Sequence, residues 1–157
     1  MRQVRKMQSS VKIGSKVMLV MGVYTLVVSL LWIFLTEVAF VSDVAVYTGQ
    51  TWSEFLASSP KHAELYIITK KLLGIELLLA SALIILIAQK SYSRGEKWSW
   101  YALLIAGILT WGSLIGYRIV IGYVESIGIM TFLIGIILFV IGVALPAKAI
   151  LGKKPRK

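Results

Sequence analysis

Residues 65–101 read LYIITKKLLGIELLLASALIILIAQKSYSRGEKWSWY, and they decide what kind of protein this is. Between Lys71 and Lys90 the only charged residue is Glu76; Lys90, Arg94 and Lys97 then crowd a short polar loop, and Trp98 opens another apolar run. A helix needs about 20 apolar residues to cross about 30 Å of hydrocarbon. Residues 65–89 meet that length, so they are expected to span a bilayer, with the basic loop at its surface.

Working outward, further spans are predicted at about 17–36, 98–121 and 126–145, the last two joined by a tight turn around Gly122. The expected fold is all-α: an integral membrane four-helix bundle, up-and-down, forming a single domain over 1–157. Residues 1–16 are a basic extension and 146–157 a basic tail. The composition agrees, with 58% hydrophobic and only 15% charged residues, against about 25% charged in soluble domains. Residues 1–16 resemble the start of a secretory signal, but the apolar run after them is too long for one and lacks a small-residue cleavage site, so it is expected to remain as the first span.

The charge map orients the chain. Of the 17 Lys and Arg, 13 fall in the N-terminal segment, the 89–97 loop and the tail, with one acid, Glu96. The opposite side carries Lys61, Lys70, Lys71 and Arg118 with Glu37, Asp43, Glu54, Glu64 and Glu125. The positive-inside rule therefore puts both termini in the cytoplasm of a multi-pass cell-membrane protein. Trp98, Trp100 and Tyr101 cluster where interfacial aromatics belong. A net charge of +10 divided this way marks topology and not a nucleic-acid face.

Local signals refine the outer side. Ser59 can cap a second helix carrying Pro60 at its first position and running to Lys90, about 46 Å long, so its first turns project beyond the hydrocarbon. The loop 42–59 is external. Within it Thr51 and Glu54 have capping-box spacing, and Trp52, Phe55 and Leu56 follow an amphipathic pattern, which predicts a short helix there. Pro146 and Lys148 should end the last span.

Helices in lipid associate through close contact and hydrogen bonds, so small residues mark packing faces. Gly128, Gly135 and Gly142 recur every seven residues, and Gly112 with Gly116 makes a GxxxG. These faces serve either packing within the bundle or docking of another protein's transmembrane helix.

By helical rise, Glu37, Lys70, Lys71, Arg118 and Glu125 all lie about 30 to 35 Å from the cytoplasmic boundary, as an outer charge collar. There the long side chains can snorkel outward and Arg118 can pair with Glu125 or Glu37. Glu76 lies deeper, about 9 Å beneath the collar. A carboxylate there calls for neutralisation, pairing with Arg118 or Lys71, or a water-filled cavity. Ser29, Trp32, Thr110, Trp111, Ser113 and Thr131 come out at nearly its depth. With Glu76 they form either one polar layer around a small ligand or ion, or hydroxyls spent on their own helices around a structural strut.

Chemistry is otherwise sparse. Without cysteine there is no disulfide, thiolate metal site or CxxC pair. His62, the single histidine, makes a poor metal site, and no phosphate loop or Ser/His/Asp constellation is present. No cofactor is expected. An intramembrane enzyme built on Glu76 would need a second group at that depth, and Trp111, Ser113 and Tyr117 are the only candidates.

The segment from Leu73 to Tyr101, with Arg94, Gly95, Glu96, Lys97, Trp98, Trp100 and Tyr101 in the form RxGExWxWY, resembles small four-helix membrane proteins of the DoxX-like type. The resemblance covers about a fifth of the chain. It implies a four-helix up-and-down fold with both termini inside, and in some members a subunit role in quinone-linked membrane oxidoreductases. No residue of this chain matches a quinone or haem site.

Two functions follow as expectations. The first is a non-catalytic auxiliary or structural subunit, partnered by the lipid bilayer and by other integral membrane subunits or a second copy, with no nucleic acid. The alternative is a small-molecule or proton-coupled binder or transporter using Glu76.

Overall fold

A computed structural model of the chain describes the backbone of residues 2–122 and 126–152 and the side chains of residues 8–122 and 132–152. Every regular element among them is helical: α1 Arg2–Phe34, α2 Thr36–Thr48, α3 Trp52–Ser58, α4 Pro60–Lys90, a 3-10 turn Tyr92–Arg94, α5 Lys97–Val120 and α6 Ser126–Leu151. Among the described residues four stretches are long and apolar enough to cross a membrane: Gln8–Phe34, Pro60–Arg94, Lys97–Val120 and Phe132–Leu151.

The long helices pack side by side. α1 makes the most extensive contacts, against α4 and α6, and α5 leans more lightly on the same two. Glycines set the close approaches. A Cβ on Gly14 would lie 2.6 Å from Cγ of Pro146, and one on Gly74 would lie 2.9 Å from Cγ1 of Ile33. Two apolar clusters fill the interior. One gathers Met18, Met21, Ile84, Tyr92, Leu103 and Ile150; the other gathers Trp32, Phe40, Leu77, Trp111, Leu114 and Phe132.

Three local outcomes differ from expectation. The chain stays helical well into the stretch expected as a loop. Leu35 leaves the helical region (φ −118°, ψ 37°), yet Leu35 N still donates to Leu31 O (2.8 Å) and Ala39 N to Leu35 O (2.9 Å). Thr36 Oγ1 donates back to Trp32 O at 2.6 Å, a local bond of the kind that bends a helix without ending it. The helix stops only at Gly49, whose φ of 73° suits a residue without Cβ.

Secondly, Ser59 precedes α4 without a side-chain cap, and Pro60 alone marks the start. The capping box at α3 does form, with Glu54 N donating to Thr51 Oγ1 at 3.3 Å and Thr51 N donating to Glu54 Oε2 at 2.7 Å.

Thirdly, α6 does not end at Pro146 but runs through it to Leu151. A proline has no N–H for the carbonyl four residues back, here that of Gly142. Tyr92 supplies the missing donor, its hydroxyl reaching Gly142 O at 2.8 Å, and Trp100 Nε1 donates to the next carbonyl, Val143 O, at 3.0 Å. Two side chains from outside the helix thus donate to its backbone beside the proline.

Candidate functional site

The strongest concentration of charge is a buried cluster at one end of the helices. α2 carries Asp43 into it, α4 carries Lys70, and α5 carries Tyr117 and Arg118. Arg118 Nη1 donates to Asp43 Oδ1 at 2.9 Å, Tyr117 OH donates to Asp43 Oδ2 at 2.7 Å, and Lys70 Nζ donates in turn to Tyr117 OH. Three rings face the Lys70 ammonium, with centroids 4.7 Å (Phe40), 5.2 Å (Tyr66) and 3.9 Å (Tyr117) away. Lys70 is only 6% exposed and Asp43 3%. Charge-assisted bonds and ring faces replace the hydration these groups lose.

The expected collar is therefore divided. Lys70 and Arg118 turn inward and do not snorkel outward, and Arg118 meets Asp43, a residue the sequence put in an external loop. Glu37 and Lys71 instead line a shallow groove of about 360 Å³ with Trp52, Leu56 and Glu64. Glu125 lies outside the described residues.

A second polar place is a groove of about 200 Å³ between α4 and α5, with Trp32 of α1 among its walls. Glu76, Thr110 and Ser113 line it together with Leu73, Leu77, Ala80, Leu109 and Leu114. Glu76 is exposed and neither Arg118 nor Lys71 pairs with it: both ion pairs among the described residues lie elsewhere. Ser113 Oγ donates to Thr110 O at 3.1 Å and Ser29 Oγ to Leu26 O at 2.7 Å, so these hydroxyls serve their own helices.

Trp111 belongs to neither place. Its ring stacks on Tyr24 (centroids 6.4 Å apart, planes 22° apart) and occupies the space that a side chain at Gly135 would need. Its Nε1 is buried with no hydrogen-bond partner among the described residues. The side chain of Thr131 lies outside them. Trp32, Glu76, Thr110 and Ser113 thus share a groove, while Trp111 fills the interior.

The glycines divide as well. Gly142 faces the Met18 side chain of α1 while Gly135 faces α5, so the heptad glycines receive two different helices; Gly128 lies outside the described side chains. Gly107 receives Phe139 and Gly22 receives Ile85. A Cβ on Gly112 or Gly116 would meet nothing within 4 Å among the described residues beyond their own stretch of helix. Their i, i+4 spacing puts both on one stripe of α5, and Leu109, Ile105 and Ile119 beside them are exposed.

Sequence reasoning grouped Asp43 with the external acids and left Tyr66 and Tyr117 out of the collar. A pointer was available in Asp43 itself, seven residues beyond Thr36 and so on the same face of a helix continued past Thr36. Compared with known proteins, the chain matches no family model, no curated protein and no solved structure.

Proposed function

We propose that this protein is a non-catalytic, multi-pass membrane subunit that packs beside a larger integral membrane protein, receiving one of its transmembrane helices on the outward stripe of α5. The observation carrying this reading is the contrast among the glycines. Gly14, Gly22, Gly74, Gly107, Gly135 and Gly142 each have a neighbour's side chain where a Cβ would go, whereas a Cβ on Gly112 or Gly116 would meet nothing within 4 Å among the described residues. In lipid there is no hydrophobic expulsion to bring helices together, and a small-residue stripe that lets backbones approach is what a partner helix uses. The light packing of α5 supports the same reading.

The orientation we infer has both termini in the cytoplasm, supported by the lysines and arginines of the two terminal segments and the 89–97 loop. The capped helix α3 and the groove it shares with α4 then lie on the outer side. Native mass spectrometry of the protein released gently from its own membrane tests the function. Stoichiometric partner subunits are expected with the wild type and their loss with Gly112→Leu/Gly116→Leu, at positions where an added Cβ meets none of the described residues within 4 Å. A lone wild-type monomer would sink the reading.

A further inference from the structure

The Glu76 groove has a chemistry independent of the α5 stripe. Its walls are leucine, alanine and Trp32, and its other lining residues are Glu76, Thr110 and Ser113. The nearby cations are committed elsewhere or point away: Lys70 to Tyr117 and its rings, Arg118 to Asp43, Lys71 to the other groove. By helical rise, Glu76 lies about 21 Å from Lys90, well inside a segment of bilayer-spanning length. A carboxylate so placed is costly unless a cation or proton meets it.

From this geometry we infer that the groove between α4 and α5 binds the cationic head of a membrane-dissolved amphiphile, an alkylammonium whose tail stays in lipid. The sign is set by Glu76, the single charged group lining the groove. A divalent metal is disfavoured, because calcium takes six to eight oxygens and no cluster of three metal-binding side chains occurs among the described residues. Size points the same way: at about 200 Å³ the groove is below the roughly 300 to 1,000 Å³ of pockets that engulf a whole drug-sized ligand. It fits a head group and the first part of a chain. Thr110 and Ser113 add hydroxyls to the lining, and the aromatic Trp32 among the walls suits a methylated ammonium. The inference needs the chain to span a bilayer but does not need a partner subunit.

The test is binding of dodecyltrimethylammonium to the full chain in a neutral maltoside detergent, counted by native mass spectrometry. One bound molecule per chain is expected, with dodecyl sulfate failing to bind at the same concentration. Glu76→Gln removes the charge and keeps the shape, and Ser113→Phe blocks the groove and keeps the charge. Each should weaken binding at least about tenfold, equivalent to the loss of one modest interaction. Glu37→Gln, in the other groove, should leave it unchanged. Unaltered binding to Glu76→Gln, or equal binding of dodecyl sulfate, overturns the inference in favour of nonspecific detergent uptake. Competition by phosphatidylethanolamine, but not phosphatidylglycerol, would identify the natural amine as a membrane lipid; lack of competition would assign the site to free amphiphilic amines.

Discussion

Arg118 and Asp43 form an ion pair at 2.9 Å in which the carboxylate side chain is 2% exposed and the guanidinium side chain 14%. Seventy-five positions separate them in the chain, and the pair fastens α2 to α5 across the space where Lys70 and Tyr117 complete the network. Neither charge sits in its preferred solvent. Their mutual neutralisation is what permits both to be buried.

Removing the carboxylate alone should therefore cost more than removing the pair. Asp43→Asn leaves the Arg118 and Lys70 cations without their carboxylate, a loss of about 3 to 5 kcal/mol, whereas Arg118→Met leaves Asp43 the Lys70 cation and an apolar replacement of the whole pair removes one charge of each sign, so both should cost less. Unfolding free energies in mild detergent for the two single variants and for Asp43→Leu/Arg118→Met provide the check. A double variant as damaged as the sum of the singles would show that the pair does not act as a unit.

In α6 beside Pro146, Tyr92→Phe removes the donor to Gly142 O and should destabilise by about 1 to 3 kcal/mol, the cost of a buried group left unsatisfied. Pro146→Ala restores a backbone N–H that can reach that carbonyl. Tyr92→Phe should then cost less in the Pro146→Ala background. Additive effects in the double-mutant cycle would contradict this account of how the proline is tolerated.

Two glycines in neighbouring helices should respond oppositely to alanine. At Gly135 the added methyl meets the Trp111 ring, and overpacking of this kind costs about 1 to 3 kcal/mol. At Gly112 the added methyl meets nothing within 4 Å among the described residues, so Gly112→Ala gains about 0.5 to 1 kcal/mol of helix preference. Melting temperatures of the two purified variants should fall on opposite sides of the wild type.

The α3 capping box predicts a dependence on pH. Hydrogen bonds from the Thr51 backbone and hydroxyl hold the Glu54 carboxyl below its ordinary value of 4.5. A depressed carboxylate contributes its stability fully above that ordinary value and loses it as pH falls through the lowered one. Protection of the Thr51 and Glu54 amides relative to their intrinsic exchange, followed from pH 6 down to about 2, should fall only below about 4.5, and Glu54→Gln, which does not titrate, should abolish the step. Protection that is flat across this range in the wild type would show that the Glu54 carboxylate does not hold α3.

Legibility followed the range of the interaction. The Thr51 and Glu54 box spans three residues, and Pro60 needs only its own missing N–H, so each could be read from a few letters. The span lengths were readable too, because bilayer thickness is an external ruler. Asp43 was misplaced for the opposite reason: whether it is solvated depends on the chain remaining helical past Leu35 and on two residues of α5 far along the chain. Glu76, Thr110, Ser113 and Trp32 were singled out by depth, but depth does not say which way a side chain points, so Trp111 was grouped with a groove it does not line.

By itself the sequence determined an all-helical protein with four stretches long and apolar enough to cross a membrane, because composition and helical rise act locally and additively. Only the tertiary structure decided which cations turn inward to Asp43, which glycines are filled, and that Pro146 lies within a helix whose freed carbonyl Tyr92 satisfies. Those outcomes depend on the rotation of each helix about its axis. That rotation is set by side chains from several helices competing for the same interior space, and no single segment encodes it.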